Sequence, residues 1–220
     1  TIGKDVKRGD KDAIKFQGLL EQIKKVLEEE KLANSISFDA EEMKMVRDLH
    51  LITMKPFLYV LNKQSGGKNL DELNDERFQK LINYFKDNRF NYVIVDAKVE
   101  DDLKDFEGEE KEEMRKELNA HDNGVNNLIK AGFNLLGLES YLTTGEVETR
   151  AWTIKKGSTA PVAAAAIHTD FEKKFIRAEV VSYNDLVAAG SFAKAKESGK
   201  LRTEGKEYIV KDGDVIEFKI

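Results

Sequence analysis

The 220-residue chain contains no cysteine, which excludes a disulfide scaffold, a thiolate metal centre and a cysteine nucleophile at once. Histidine is nearly as scarce: His50, His121 and His168 lie far apart, and none sits in a ligand-spaced pair. Positive charge is not in excess either. Lys and Arg number 36 against 41 Asp and Glu, a net charge of −5, which disfavours affinity built on bulk phosphate electrostatics and predicts no DNA specificity. No apolar run approaches the roughly 20 residues that span a bilayer, and no basic-then-apolar leader opens the chain, so a soluble intracellular protein with no membrane partner is expected. A phosphate-binding G-x-x-x-x-G-K-[ST] motif is missing: Gly66-Gly67-Lys68-Asn69 and Ser198-Gly199-Lys200-Leu201 lack the preceding glycine spacing and the following hydroxyl. Asp105-Phe106-Glu107-Gly108 matches Asp-x-x-Gly, but it sits in an acidic helical stretch with no strand before it. With neither a phosphate cradle nor a magnesium ligand, no catalytic residue and no metal ligand is assigned, and the chain alone is expected not to catalyse phosphoryl transfer.

Enough apolar residues are present, 40%, to bury a core beside 35% charged residues. Residues 1–137 carry 23 basic and 28 acidic side chains, while residues 138–220 carry 13 of each. Texture changes with charge, from helical periodicity to alternating strands, and a boundary is expected near Gly137. From Asp10 to Leu32, Ala13, Phe16, Leu20, Ile23 and Leu27 recur at helical spacing. This stripe calls for a partner helix, and the best candidate would lie before Thr1, since the opening reads as the interior of something longer. Asp39 and Glu42 form a capping box ahead of a second helix that would bury Met43, Val46 and Leu49 or His50.

Pro56–Leu61 and Asn91–Val95 are short apolar runs of strand type, separated by a helical pattern from about Leu70 to Lys86. Strand, helix and strand predict a βαβ unit of a parallel sheet buried on both faces, with ligands expected at the carboxyl ends of its strands. Helices are predicted over about 109–118 and 124–136. Beyond Gly137 the pattern is α+β: strands over 149–154 and 175–182, a small-residue helix over 160–167, and a helical stretch with Leu186 and Val187. Lys211-Asp212-Gly213-Asp214 between Tyr208–Val210 and Val215–Ile220 signals a hairpin.

Asn62-Lys63-Gln64-Ser65, at the end of the first strand, has the form of a purine-reading loop. The carboxamide of Asn62 can bond a purine edge and the stem of Lys63 can cover the ring, but Ser65 is neutral and short where a carboxylate would accept from guanine. Asp96-Ala97-Lys98 follows one βαβ unit later, where a backbone amide at Ala97 would approach the base. An ordinary strand-to-loop turn is the other reading. His168 beside Asp170 is a general-base candidate or a helix-terminal cap. Trp152, between Arg150 and Lys155, is a stacking platform for RNA bases or a core residue. Lys173, Lys174 and Arg177 form a small basic cluster diluted by Glu172 and Glu179.

Gly145–Ile154 (GEVETRAWTI), Gly157–Pro161 (GSTAP), Ile167–Lys173 (IHTDFEK), Phe175–Glu179 (FIRAE) and Gly205–Val215 (GKEYIVKDGDV) together resemble the C-terminal domain of the YchF (Obg-like ATPase) family. Gly9–Ala13 is similar to the middle of that family's helical insertion, and Phe133–Leu138 to its approach to the last domain, so the resemblance covers essentially the whole chain. It implies an α/β fold: part of a helical arm over residues 1–55, a partial P-loop NTPase sheet over 56–137, and an α+β, ubiquitin-like β-grasp TGS domain over 138–220. It further implies a cytoplasmic, ribosome-associated protein that hydrolyses ATP or GTP with magnesium when complete. The phosphate loop, switch regions and magnesium ligands would lie upstream of Thr1, so this stretch is expected to bind nucleotide only weakly. Asn62, Lys63, Ser65 and Ala97 fall at the base-binding positions, with Ser65 replacing the family's acidic residue. Ribosome or ribosomal RNA is the implied partner, with Lys173, Lys174, Arg177 and Trp152 as contact candidates. The alternative is a ribosome- or RNA-binding module that acts without nucleotide.

Overall fold

A computed structural model describes residues 2–118, 120, 124–145 and 148–220, so His121, Glu146 and Val147 of the motifs above lie outside the described residues. The chain divides into two units, Thr1–Phe57 and Leu58–Ile220.

In the first unit, α1 (Ile2–Lys7), α2 (Lys11–Glu28) and α3 (Ala40–Arg47) are joined by irregular segments with 3₁₀ turns at Ala33–Ser35 and Ile52–Met54. Asp10 starts α2 by accepting from the Ala13 amide at 2.9 Å. The buried stripe is rotated from the one the spacing predicts: Leu19 and Ile23 are buried, Leu20 is half-buried and Leu27 is exposed. Leu19 and Leu20 are equally apolar neighbours, and the position of the packing partner chooses between them. That partner lies downstream, because Ala33 and Val46 close the core with Phe16, Met45, Leu49 and Leu51 around it. The capping box forms in full: Asp39 Oδ1 accepts from the Glu42 amide at 2.8 Å, and Glu42 Oε2 accepts from the Asp39 amide at 3.0 Å. Val46 is buried as predicted but Met43 is exposed, and α3 ends before Leu49 and His50.

In the second unit, β1 (Leu58–Asn62) and β2 (Asn91–Val95) pair in parallel from Leu58↔Asn91 to Asn62↔Val95. The crossover helix α4 (Glu76–Asp87) begins six residues later than the apolar pattern suggests, because Asp75 caps it by accepting from the Arg77 amide. Phe85 of α4 stacks on Tyr59 with ring centroids 5.0 Å apart. The two strands are not buried on both faces as their apolar runs predict: Val93 and Val95 are buried, whereas Val60 and Tyr92 are exposed. After β2 come α5 (Ala97–Asp102), α6 (Gly108–Glu117) and α7 (Gly124–Leu136).

Gly137, at φ +60°, turns the chain from α7 into β3 (Leu138–Thr144), a strand the sequence pattern did not announce. β4 (Thr149–Lys155), α8 (Ala160–Ala164), α9 (Thr169–Lys174), β5 (Arg177–Ser182), α10 (Tyr183–Ala189), α11 (Phe192–Glu197), β6 (Arg202–Glu204) and β7 (Asp214–Lys219) follow. The sheet order is β4-β3-β7-β5-β6, with β7 parallel to β3 and antiparallel to β5. Ala160, Ala163 and Ala164 bring α8 close to Tyr141, Ile154, Val180 and Ile216 in one core, while Leu142, Val181 and Val215 pack in another with Ala195 and Phe192 of α11. The Asp-Gly turn forms, with Gly213 at φ +78°, but it does not close a hairpin. Ile209 bridges Thr159 instead of pairing with β7. The turn is held by β3: Gly213 donates to the Ser140 carbonyl at 2.8 Å, and Asp212 Oδ1 accepts from the Ser140 amide at 2.8 Å. A local signal predicts a turn but not which strand anchors it.

Candidate functional site

Two parallel strands that end side by side leave a gap beyond their last residues, because the chain departs from each in a different direction. Here β1 ends at Asn62 and β2 at Val95, and the Lys63 amide still reaches the Val95 carbonyl at 2.7 Å. One step further the side chains take over: Asn62 Oδ1 accepts from the Ala97 amide at 3.0 Å. Asp96 caps α5 by accepting from the Lys98 and Val99 amides, both at 3.1 Å. Above this end of the sheet lies a cleft of about 590 Å³ whose described lining includes Lys63, Gln64, Asp71, Glu72, Asp96 and Glu100.

The loop after β1 is braced from within. Asn69 Oδ1 accepts from the Gln64 amide at 2.8 Å, and Asn69 Nδ2 donates to the Gln64 carbonyl at 3.1 Å. Gly66, at φ +66°, makes the turn between them. Lys63 folds its stem along the cleft, and only 18% of its side chain remains accessible. Its Nζ is 3.3 Å from Asp71 Oδ2 and also pairs with Glu72. Burial works against the Lys63 charge, but the hydrogen bonds it donates to Glu72 and Asp71 outweigh it and raise its pKa. The same bond holds the Glu72 carboxyl below its ordinary value. On the far wall, Arg115 Nη1 meets Glu100 Oε1 at 3.0 Å, with both side chains about nine-tenths buried. Gly124 opens α7 against this pair, and a Cβ there would stand 3.2 Å from Glu100 Oε1 and from Val95 Cγ1.

Of the four base-loop residues predicted from sequence, Lys63 lines the cleft, whereas Asn62 and Ala97 are exposed, tied to each other and not among the lining residues. Ser65 is exposed in the turn and is not among the lining residues. Sequence reasoning missed Asp71 and Glu72 outright, and it singled out the second loop at Asp96 without giving its carboxylates, Asp96 and Glu100, a role. The first two fell in the stretch read as the start of a helix, and the only signal was their acidity directly after a purine-type loop. The described cleft thus carries four carboxylates against the one ammonium of Lys63, with Arg115 behind Glu100. Among the described residues, no group of three or more histidines and carboxylates is arranged to hold a metal ion. No helix among them is long and apolar enough to cross a membrane.

The other candidates lie in residues 138–220. His168 caps α9, its Nδ1 accepting from the Asp170 amide at 3.2 Å. Trp152 packs on the core beside Tyr141, donates from Nε1 to Thr143 Oγ1 at 2.8 Å, and carries the Arg150 guanidinium 4.3 Å over its ring. Lys173 and Lys174 end α9 and Arg177 begins β5, all three exposed. Lys174 is 3.7 Å from Asp170, and Arg177 is the cross-strand neighbour of Lys219.

Residues 138–220 match the family model YchF-GTPase_C, described as a protein of unknown function (DUF933). Over 218 residues, 99% of its length, the chain is 47% identical to the ribosome-binding ATPase YchF of Bacillus subtilis (strain 168), of which the match covers 59%. It is 41% identical over 217 residues to the ribosome-binding ATPase YchF of Escherichia coli O157:H7, again covering 99% of this chain and 59% of that protein. The structure of the YchF GTPase of Schizosaccharomyces pombe superposes with a TM-score of 0.78 at 31% identity, covering 96% of this chain and 56% of that one. The chain therefore spans about three fifths of the length of the curated relatives it matches.

Proposed function

The chain resembles YchF proteins over nearly its whole length and carries their C-terminal domain family at residues 138–220, and from that premise we propose that it is the C-terminal part of a ribosome-associated nucleotide-binding protein. In this reading residues 56–137 hold the base of ATP or GTP. The observation that carries it is the cleft at the carboxyl ends of β1 and β2. Its four carboxylates suit a neutral base and repel a polyphosphate; the phosphates, magnesium and hydrolysis are left to the upstream part that the resemblance implies. The Ala97 amide engages the Asn62 oxygen, which leaves the Asn62 NH₂ as the end with hydrogen bonds to give. The stem of Lys63 forms one wall beside it.

Residues 1–55 act as part of a helical arm, and residues 138–220 act as a TGS-type β-grasp domain that meets a ribosomal partner. Lys173 and Arg177 support an RNA-facing role, since both are exposed and neither forms an ion pair among the described residues. They also favour the second reading, a ribosome- or RNA-binding module that acts without nucleotide.

Titration of the ¹⁵N-labelled chain with ATP tests the first reading. Shifts confined to residues 62–72 and 96–100 are expected, with a dissociation constant of about 0.1 mM or weaker, the range of a nucleoside held without its phosphates. Asn62→Asp keeps the acceptor for the Ala97 amide but removes both donors, and should abolish those shifts while leaving the fold intact. Micromolar affinity, or shifts elsewhere, would refute the reading. Sedimentation with ribosomes at two salt concentrations tests the second: binding that persists without nucleotide and falls with salt supports it.

A further inference from the structure

The relatives' names divide between ATPase and GTPase, and both purines carry an exocyclic amino group that a carboxylate can recognise. Position 65, where the purine-type loop would offer that carboxylate, is a serine exposed on the turn and off the cleft lining. Two other carboxylates do line the cleft, Asp71 and Glu72, placed there by the loop that Asn69 braces. Lys63 fixes their position, with its Nζ 3.3 Å from Asp71 and in direct contact with Glu72. An ammonium has three hydrogens and no lone pair, so it can only hold acceptors and cannot itself accept from an amine. Each carboxylate has two oxygens and about four acceptor positions, so pairing with Lys63 leaves capacity on both. The other lining carboxylates are committed more heavily: Asp96 caps α5, and Glu100 is buried against Arg115. Glu72 is the most accessible of the set, its side chain 49% exposed where that of Lys63 is 18%.

We propose that Glu72, with Asp71 beside it and Lys63 as the positioning residue, is the amino-group reader of this cleft and takes over the role that Ser65 cannot fill. The ligand class is a purine nucleoside bearing an exocyclic amine, and the proposal rests on the base-site reading of the cleft. Glu72 stays an ionised acceptor at neutral pH, since Lys63 holds its carboxyl below the ordinary value.

Adenosine and purine riboside, which differ only by the amino group, separate the cases when titrated by NMR into the full chain. Adenosine should bind about tenfold tighter, the worth of one hydrogen bond to a charged acceptor. Glu72→Gln presents a neutral carboxamide in the same volume on a half-exposed side chain, so the fold should hold. Its preference should fall to about twofold, and Asp71→Asn should lower it in the same direction. If the wild-type chain binds both nucleosides equally, or if Glu72→Gln keeps the tenfold preference, Glu72 is not the reader, although the base site remains. If neither nucleoside moves the resonances of residues 62–72 and 96–100, the base-site reading fails and takes this proposal with it.

Discussion

Replacing Tyr141 by phenylalanine removes one oxygen from a ring with no solvent exposure, and the cost can be worked out from its neighbours. The phenol donates to the Ala163 carbonyl at 2.9 Å, and burial pushes its pKa well up, so the proton stays in place over the whole accessible pH range. Loss of one neutral hydrogen bond costs about 1 kcal/mol. A larger penalty would need an orphaned acceptor, but the Ala163 carbonyl also accepts from the Ala166 amide at 3.0 Å. The ring itself remains, with its edge contact to Phe218 at 5.6 Å between centroids. Tyr141→Phe should therefore cost about 1 kcal/mol, whereas Tyr141→Ala, which opens a cavity, should cost about 3–5 kcal/mol. Trp152 is the only tryptophan and the cross-strand partner of Tyr141, so its fluorescence in urea follows this sheet directly. The two variants should lower the midpoint with an unchanged slope. A loss above about 3 kcal/mol for Tyr141→Phe, or a gain in stability, would refute the assignment of Ala163 as a doubly bonded acceptor.

Tyr208 is raised to about 12, by burial first and then by the Asp214 carboxylate that accepts its hydroxyl at 2.7 Å. An unfolded tyrosine ionises near pH 10, so this neutral phenol contributes stability that is fully present below that pH and is lost as pH rises through about 12. Tyr208→Phe should be less sensitive to pH across that window, measured as the difference in urea midpoint between the two proteins. Arg89 holds φ +54° just beyond α4, where the Phe90 amide closes onto the Phe85 carbonyl at 2.8 Å. A side chain in that left-handed region is strained, and Arg89→Gly should stabilise by about 0.5–1 kcal/mol after glycine's own entropy is counted. Unchanged or lower thermal stability of that variant would contradict the geometry.

What the residues alone determined were the features whose causes lie close together in the chain. The apolar runs at 56–61 and 91–95 made strands, and the amphipathic stretch between them made the crossover helix, because each periodicity is set within a dozen residues. Asp39 and Glu42 closed their capping box across three positions, and Asp212-Gly213 made its turn. The loop Asn62-Lys63-Gln64-Ser65 was legible as a candidate site for the same reason, as was the second loop at Ala97.

Tertiary structure decided what depends on residues distant in sequence. Leu19 rather than Leu20 faces inward because Ala33 and Val46 lie on that side. The Asp-Gly turn anchors on Ser140, 72 residues away, and so β7 runs beside β3 and not back along Tyr208–Val210. Asn62 finds its partner 35 residues on, at Ala97. Position 65 follows the turn outward, while Asp71 and Glu72 are drawn to the cleft by Lys63. Local propensity chooses an element and its ends, but the face a side chain turns and the charge it meets are set by contacts between segments that only packing brings together.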